Sequence, residues 1–155
     1  MDCQKTITII VLNEHGVLSR ISGLFAGRGY NIEALNVAPM LDSKFSKITI
    51  TTKGDNKVLE QILKQLNKLI PVLKVYESDF CGLEAILIKF DIKESLNELS
   101  AIFSGYGGRL LEVNEKFAVF MAYDTSSRIN NLLQAIKSFS PRDITRSGIL
   151  SIEAN

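Results

Sequence analysis

A short polar turn, Asn13-Glu14-His15-Gly16, carries the groups of this chain that are best suited to binding a small ligand. Gly16 has no Cβ, so a ligand can approach its backbone closely. The amides of Gly16, Val17 and Leu18 lie at the start of a predicted helix, where no intrahelical acceptor exists for them. These free amides and the positive end of the helix dipole together favour an anion such as a carboxylate.

Asn13 adds a side-chain amide with two donor hydrogens and one acceptor oxygen to the same turn. The turn can therefore hold a small carboxylate-bearing ligand, and it contains no group that would transform one. A purely structural role is the alternative, because strand-turn-helix joints commonly use Asn and Gly.

A strand and a helix position this turn. The run from Ile7 to Leu12 is apolar and rich in β-branched residues, which predicts a buried strand. The helix after the turn places one set of apolar residues on a common face, namely Leu18, Ile21, Leu24 and Phe25. Gly29 is predicted to stop this helix, and Tyr30-Asn31-Ile32 opens a second strand that runs to about Ala38.

The rest of the first half predicts a third strand, a helix and a fourth strand. A turn, Pro39 to Ser43, leads into a strand over Phe45–Lys53 with one solvated face. Gly54-Asp55-Asn56 closes this strand and can cap a helix over Lys57–Leu69, which Pro71 is predicted to end. Val72 to Asp79 is the last strand of the half. The order is βαββαβ, the ferredoxin-like pattern.

The same order recurs in the second half. Its predicted elements are a strand (Ala85–Asp91), a helix (Leu96–Tyr106), a hairpin (Arg109–Val113 and Lys116–Tyr123), a helix (Ser126–Phe139) and a strand (Asp143–Ile152). The constant shift that lays Leu18 on Leu96 also lays Phe25 on Phe103 and Gly29 on Gly107, which indicates a repeated unit. We predict an α+β protein of two ferredoxin-like βαββαβ domains in tandem, residues 1–79 and 80–155, with Cys81 in the linker.

The two halves differ at the turn. The same shift places Asp91 on Asn13, Glu94 on Gly16 and Arg109 on Asn31. The second copy thus has a negative side chain where the first offers bare backbone. We expect one ligand-binding half and one half with another role.

Composition narrows the class of protein further. The formal net charge is +1 and the charges are mixed along the chain, so we expect no nucleic-acid partner. The two cysteines are far apart and suit a reducing compartment. No apolar run reaches membrane-spanning length and the N-terminus lacks a signal-peptide core, so we expect no membrane association. A cytoplasmic protein follows, or a stromal one if the gene is plastid-encoded.

Catalytic and metal-binding motifs are not apparent. The single histidine, His15, has no nucleophile motif near it, and no cluster of His, Cys and carboxylates has metal-ligand spacing. Gly27-Arg28-Gly29 follows a helix and precedes a strand, which is the reverse of the order in a dinucleotide-binding unit. We therefore predict neither catalytic residues nor a metal or cofactor of this chain's own.

The residues of the first half resemble an ACT domain, the ferredoxin-like module that senses amino acids. The string NEHGVLSRISGLFAGRGYNIEALNVAP, with GDNKVLEQILKQLNKL after it, closely resembles the regulatory (small) subunits of acetolactate synthase, also called acetohydroxyacid synthase. The resemblance is strong from Lys5 to about Asp79. It is weaker in the second half, where it includes the RSG at Arg146 to Gly148.

The resemblance implies a non-catalytic subunit that activates a catalytic large subunit and confers feedback inhibition in branched-chain amino acid biosynthesis. The effector is valine, and in some members leucine or isoleucine. Thiamine diphosphate, Mg²⁺ and FAD belong to the large subunit. ACT domains of this kind pair side by side into a homodimer with one continuous sheet.

The resemblance also implies which residues bind the effector. Asn13, Gly16, Val17 and Leu18 would hold its carboxylate and amino group, and His15 lies in the same turn. Asn31 and Ile32 would close the site from the second chain.

Other functions remain open from the residues alone. A stand-alone amino-acid-sensing regulator of another enzyme or of transcription would use the same turn, and a transcriptional role would need a basic face or an attached DNA-binding unit. A small ferredoxin-like enzyme would need a polar cluster in a cleft.

Overall fold

The computed structural model of the chain describes residues 3–78 and 82–152. It divides into two compact units: among the described residues, 3–78 with 149–152 form the first and Gly82–Gly148 form the second. Each βαββαβ set forms one four-stranded antiparallel sheet, which confirms the predicted α+β class and tandem ferredoxin-like order. Asp79 and Cys81, predicted to end the fourth strand and to lie in the linker, fall outside the described residues.

The first unit contains four strands and two helices in the predicted order. Their bounds are β1 Cys3–Leu12, α1 Val17–Ala26, β2 Ile32–Pro39, β3 Phe45–Gly54, α2 Asn56–Leu66 and β4 Val72–Glu77. The strand order in the sheet is β2-β3-β1-β4. The second strand is therefore an edge strand, and the turn after β1 leaves the sheet from one of its central strands.

The second βαββαβ set repeats this arrangement. Its bounds are β5 Gly82–Asp91, α3 Leu96–Ser104, β6 Arg109–Val113, β7 Phe117–Asp124, α4 Ser126–Ala135 and β8 Asp143–Ser151. The strand order is β6-β7-β5-β8. The prediction of one continuous helix to Phe139 is wrong, because α4 ends at Ala135 and a separate 3₁₀ turn follows over Lys137–Phe139.

The helix after the candidate turn packs on the sheet through a stripe at four-residue spacing. Val17, Ile21 and Phe25 are the buried side chains of α1, and they pack with the apolar residues of β1 and β3. The prediction that Leu18 lies on this face is wrong, since its side chain is 39% exposed. Leu18 is one residue, or about 100°, away from Val17 around the helix, which turns it out of the stripe.

Side chains set both ends of α2. The Asp55 carboxylate accepts a hydrogen bond from the Lys57 amide at the helix start (3.0 Å). At the other end the Asn67 side-chain amide donates to the Leu63 carbonyl (3.0 Å). The helix ends at Leu66, after which the Lys68 and Leu69 amides make i→i−3 bonds (3.0 and 3.1 Å), and the prediction that it continues to Leu69 is wrong.

We expect Asp55→Ala to lower the free energy of unfolding of the first unit by about 1 kcal/mol, because it removes the N-cap acceptor. Asp55→Asn keeps a capping oxygen and should lose much less. Urea unfolding of the full chain, followed by hydrogen exchange of the α2 amides, measures both variants. Equal losses in the two variants would show that the cap does not stabilise the helix.

The face of the first sheet that was predicted to be solvated is largely buried. Thr8, Thr49 and Thr51 are buried on it, which contradicts the expectation. Residues 149–151 of this unit cover part of that face: Ser151 is buried, and its carbonyl accepts a hydrogen bond from Lys47 Nζ (2.9 Å). Threonine alternation alone does not show whether a strand face meets water or another segment.

Candidate effector site at the start of the first helix

The first helix begins at an open glycine. Gly16 occupies the N-cap position with φ 81° and ψ −6°, a left-handed conformation, and no side chain caps the helix. Its carbonyl accepts the first helical hydrogen bond, from the Arg20 amide (3.1 Å). A Cβ built on Gly16 would meet nothing within 4 Å, so the space beside its backbone is free. The amides of residues 17 to 19 precede the first helical bond and have no intrahelical acceptor.

In the other α-helices of the described residues, a side chain offsets the free amides and the positive dipole at the N-terminus. Asp55 caps α2 and Thr125 caps α4. No side chain caps α3, but Glu98 places a negative charge in its first turn. The first helix has neither a capping side chain nor an acidic residue in its first turn. Its positive end is therefore the one that most favours an anionic ligand.

Asn13 is held firmly beside this helix start. Its backbone amide donates to the Lys44 carbonyl (2.8 Å), and its side-chain amide donates to the Ser43 carbonyl (2.9 Å). These bonds tie the turn to the β2–β3 connection and fix the orientation of the side chain. The side-chain carbonyl oxygen of Asn13 accepts no hydrogen bond from the described residues, so it can accept a hydrogen bond from a ligand ammonium group.

The predicted site residues around the turn contribute in different ways. Val17 is 5% exposed and its side chain lies in the core, so its backbone amide is the part that a ligand can reach. Leu18 and His15 both point to the surface. Leu18 is therefore the apolar side chain of this turn that is placed to contact a ligand or a second chain.

Asn31 and Ile32 lie at the other end of the same sheet. Leu12, the last residue before the turn, pairs with Phe45, whereas Ile32 pairs with Thr52. Thr52 is seven positions along β3 from Phe45, which corresponds to a distance of about 24 Å. Within one chain the structure therefore brings Asn13, His15, Gly16, Val17 and Leu18 together, and it holds Asn31 and Ile32 apart from them.

The equivalent turn of the second unit is internally satisfied. The last pair of β5 and β7, Asp91 with Phe117, matches the pair of Leu12 with Phe45, and the Ile92 amide donates to the Lys116 carbonyl as the Asn13 amide does to that of Lys44. Ile92 therefore stands at the position of Asn13, and the prediction that Asp91 does so is wrong by one residue.

Asp91, the last residue of β5, accepts a hydrogen bond from the Lys93 amide (3.3 Å) and pairs with Arg142. The Lys93 amide and then the Arg142 guanidinium hold the pKa of the Asp91 carboxyl below its ordinary value, despite the opposing effect of burial. Ser95, and not Glu94 as predicted, stands at the N-cap position that Gly16 occupies in the first unit. The second turn therefore lacks both the side-chain amide and the glycine of the candidate site.

Several residues around the site were not found from the sequence. Ser43 and Lys44, which anchor Asn13, contribute backbone carbonyls, and a backbone contact leaves no mark on residue type. Thr52 is buried and donates its hydroxyl hydrogen bond to the Asn31 carbonyl (2.7 Å). It stands in a Thr-rich strand, where residue type alone does not distinguish it from its neighbours.

Within residues 3–78 and 82–152, no group of three or more His, Cys, Asp or Glu side chains is arranged to hold a metal ion. No helix in the described part of the chain is long and apolar enough to cross a membrane.

The tandem βαββαβ units, with a glycine-led helix start in the first, define an ACT-domain protein. The family model of the AHAS small subunit-like ACT domain matches residues 7–74. The model of the small subunit of acetolactate synthase matches residues 83–155. The chain belongs to the acetolactate synthase small-subunit family.

Individual relatives agree with this assignment over nearly the whole chain. The acetolactate synthase small subunit of Buchnera aphidicola (subsp. Baizongia pistaciae) is 39% identical over 97% of this chain and 98% of its own length. The acetolactate synthase isozyme 3 small subunit of Escherichia coli K12 is 35% identical over 96% of this chain and 94% of its own length. The crystal structure of the small subunit from Thermotoga maritima is similar with a TM-score of 0.87 at 28% identity, covering 97% of this chain and 96% of that one.

Proposed function

We propose that this chain is the non-catalytic regulatory subunit of an acetolactate synthase and binds a branched-chain amino acid, with valine as the primary effector. The single observation that carries the proposal is the uncapped start of α1 at Gly16, with open space beside the glycine and Asn13 fixed next to it. The names of the relatives support the choice of enzyme.

The chemistry of the turn matches a zwitterionic amino acid. The free amides after Gly16 would hold the carboxylate, and the Asn13 side-chain oxygen would accept a hydrogen bond from the ammonium group. Leu18 would contact the aliphatic side chain. One methylene in such a contact is worth only about 1–3 kcal/mol, so leucine and isoleucine are expected to bind with affinities related to that of valine.

A second copy of the chain would complete the site. The second strand is an edge strand, and its Leu35 and Val37 side chains are exposed. Antiparallel pairing of two such edges would place Ile32 of the second copy beside Pro39, at the end of the sheet where the Asn13 turn lies. Asn31 and Ile32 are far from the turn of their own chain, and in this pairing they would lie near the turn of the second copy.

The regulatory action would be exerted on a separate catalytic large subunit, which carries thiamine diphosphate, Mg²⁺ and FAD. This chain would raise the activity of that subunit and lower it again when the effector binds. A ligand shifts such an equilibrium only by its differential affinity for the two states, typically about 1–3 kcal/mol. The pathway would be isoleucine, valine and leucine biosynthesis.

Titration calorimetry of the full chain with valine tests the proposal. We expect saturable binding of valine, weaker binding of leucine and isoleucine, and no binding of alanine at the same concentrations. Assays of the large subunit with and without this chain should show activation that valine reverses. Absence of binding by all three branched amino acids, both alone and with the large subunit present, would overturn the proposal.

A further inference from the structure

A buried hydroxyl group supports the segment that carries Asn31. Thr52 is 0% exposed, and its Oγ1 donates a hydrogen bond to the Asn31 carbonyl at 2.7 Å. The bond joins the end of β3 to the residue just before β2. A charge-neutral bond of this kind fixes the backbone at the point from which the Asn31 side chain leaves it.

The strand is irregular at this point. Ile32 pairs with Thr52 and Ala34 with Thr51, so Glu33 is an extra residue in β2. Such a bulge bends a strand and changes the direction of nearby side chains. The Thr52 hydroxyl therefore acts on the backbone where the direction of Asn31 is set.

Tyr30 fixes the other side of Asn31. Its hydroxyl donates to the Asp55 carbonyl (2.8 Å), and its amide donates to the Phe25 carbonyl (3.0 Å). The ring lies against Gly54, where a Cβ would clash with it. Asn31 thus stands between two anchored neighbours and is itself exposed.

The second unit shows that the bulge does not need a hydroxyl group. Its register shifts at the equivalent place, where Leu110 pairs with Phe120 and Glu112 with Val119. Phe120 stands at the position of Thr52 and has no hydroxyl. The hydroxyl is therefore present in the half that carries Asn31 and absent from the half that carries Arg109 at the same position.

We propose that Thr52 is a positioning residue for the effector site, which orients Asn31 through the hydrogen bond to its backbone carbonyl. The inference rests on the proposed function, in which Asn31 closes the site from the second chain. It adds to that function a buried residue that never touches the effector and yet determines how tightly the effector is held.

The neighbouring Thr51 provides a matched control. It is 2% exposed, and its hydroxyl has no hydrogen-bond partner among the described residues. Thr51→Val and Thr52→Val each replace one buried hydroxyl with a methyl group in the same strand. Thr52→Ser removes the methyl group and keeps the hydroxyl.

The three variants are compared with the wild-type full chain by valine titration and by hydrogen exchange. We expect Thr52→Val to weaken valine binding about tenfold and to speed exchange of the Ile32 and Glu33 amides by a similar factor, as expected for one lost hydrogen bond. Thr51→Val should change neither quantity, and Thr52→Ser should retain most of the affinity. Activation of the large subunit without valine should be equal in all of them.

The outcomes separate the two proposals. If the wild type binds valine and Thr52→Val binds it equally well, the positioning role is wrong and the proposed function stands. If Thr51→Val loses as much affinity as Thr52→Val, general loosening of the strand explains the effect and the positioning role is again wrong. If the wild type binds no branched-chain amino acid with the large subunit present, the proposed function fails and the role of Thr52 with it.

Discussion

Gly16→Asp is expected to weaken valine binding about tenfold to a hundredfold more than Gly16→Asn does. The two side chains have nearly the same size, and both residue types tolerate the left-handed conformation of Gly16 (φ 81°) better than most. Only aspartate adds a negative charge beside the place proposed for the ligand carboxylate. Two like charges about 4 Å apart repel by roughly 1 to 4 kcal/mol, depending on solvent screening.

The comparison is made by calorimetry on the full-length variants, with far-UV circular dichroism as a check that both are folded. Neither side chain should be excluded by lack of space, since the position beside Gly16 is open. If Gly16→Asn and Gly16→Asp bound valine with equal affinity, the ligand carboxylate would have to lie elsewhere. If both bound as tightly as the wild type, the turn would have no part in the site.

Arg146→Met is expected to lower the free energy of unfolding of the second unit by about 3 kcal/mol, because it leaves a buried carboxylate unpaired. Glu84 is 2% exposed and pairs with the Arg146 guanidinium through both carboxylate oxygens. Ser126 also donates a hydrogen bond to it (3.0 Å). Glu84→Gln should lose less, since the Arg146 side chain is 39% exposed and can be hydrated.

The two variants should also differ from the wild type in their pH dependence. Burial raises the pKa of Glu84, but the hydrogen bonds from Arg146 and Ser126 and the charge of Arg146 outweigh it and hold the pKa below the ordinary value of 4.5. The pair therefore stabilises the wild type above about pH 4.5, and this contribution is lost as the pH falls through the folded-state pKa. In Arg146→Met both contributions of Arg146 are lost and only the Ser126 hydrogen bond still opposes the effect of burial, so that variant should gain relative stability on acidification.

Hydrogen exchange of the β5 and β7 amides at pH 4, 5.5 and 7 measures this stability within the full chain. Glu84→Gln serves as the control, because it has no carboxyl group to titrate at this position. A wild type and a Glu84→Gln variant with parallel pH profiles would show that the ion pair contributes nothing to the pH dependence of the second unit.

The order of elements was predictable because it depends on local patterns. Each predicted element follows from residues that are close together along the chain: the apolar stripe of Ile21 and Phe25, the glycine at residue 29 and the β-branched run of β1. The comparison of the halves was one residue out at the turn, because α3 is one residue shorter than α1, so that Ile92 and not Asp91 matches Asn13. A single shift taken from the helix core could not show this. The candidate turn itself was predicted from its local residue types.

The supporting contacts were not predictable, because their partners are far apart along the chain. Glu84 and Arg146 are 62 residues apart, and Thr52 and Asn31 are 21 apart. Residue type does not identify such pairs, and a buried Thr52 looks like any solvated threonine in a strand. Leu18 is an error of the opposite kind, an exposed residue that was predicted to be buried. Its spacing from Ile21 fits the core stripe, but Val17 occupies that face of α1 and Leu18 lies at the surface.

In the proposed two-chain site, the placement of the Asn13 turn and of Ile32 at opposite ends of one sheet would link effector occupancy to self-association. Two paired copies would hold two equivalent sites, each with one wall from either copy. By mass action, valine would then tighten the pairing, and dilution of the protein would weaken valine binding by the same free energy. The cellular abundance of this chain would thereby set the sensitivity of the feedback response, alongside the concentration of the amino acid itself.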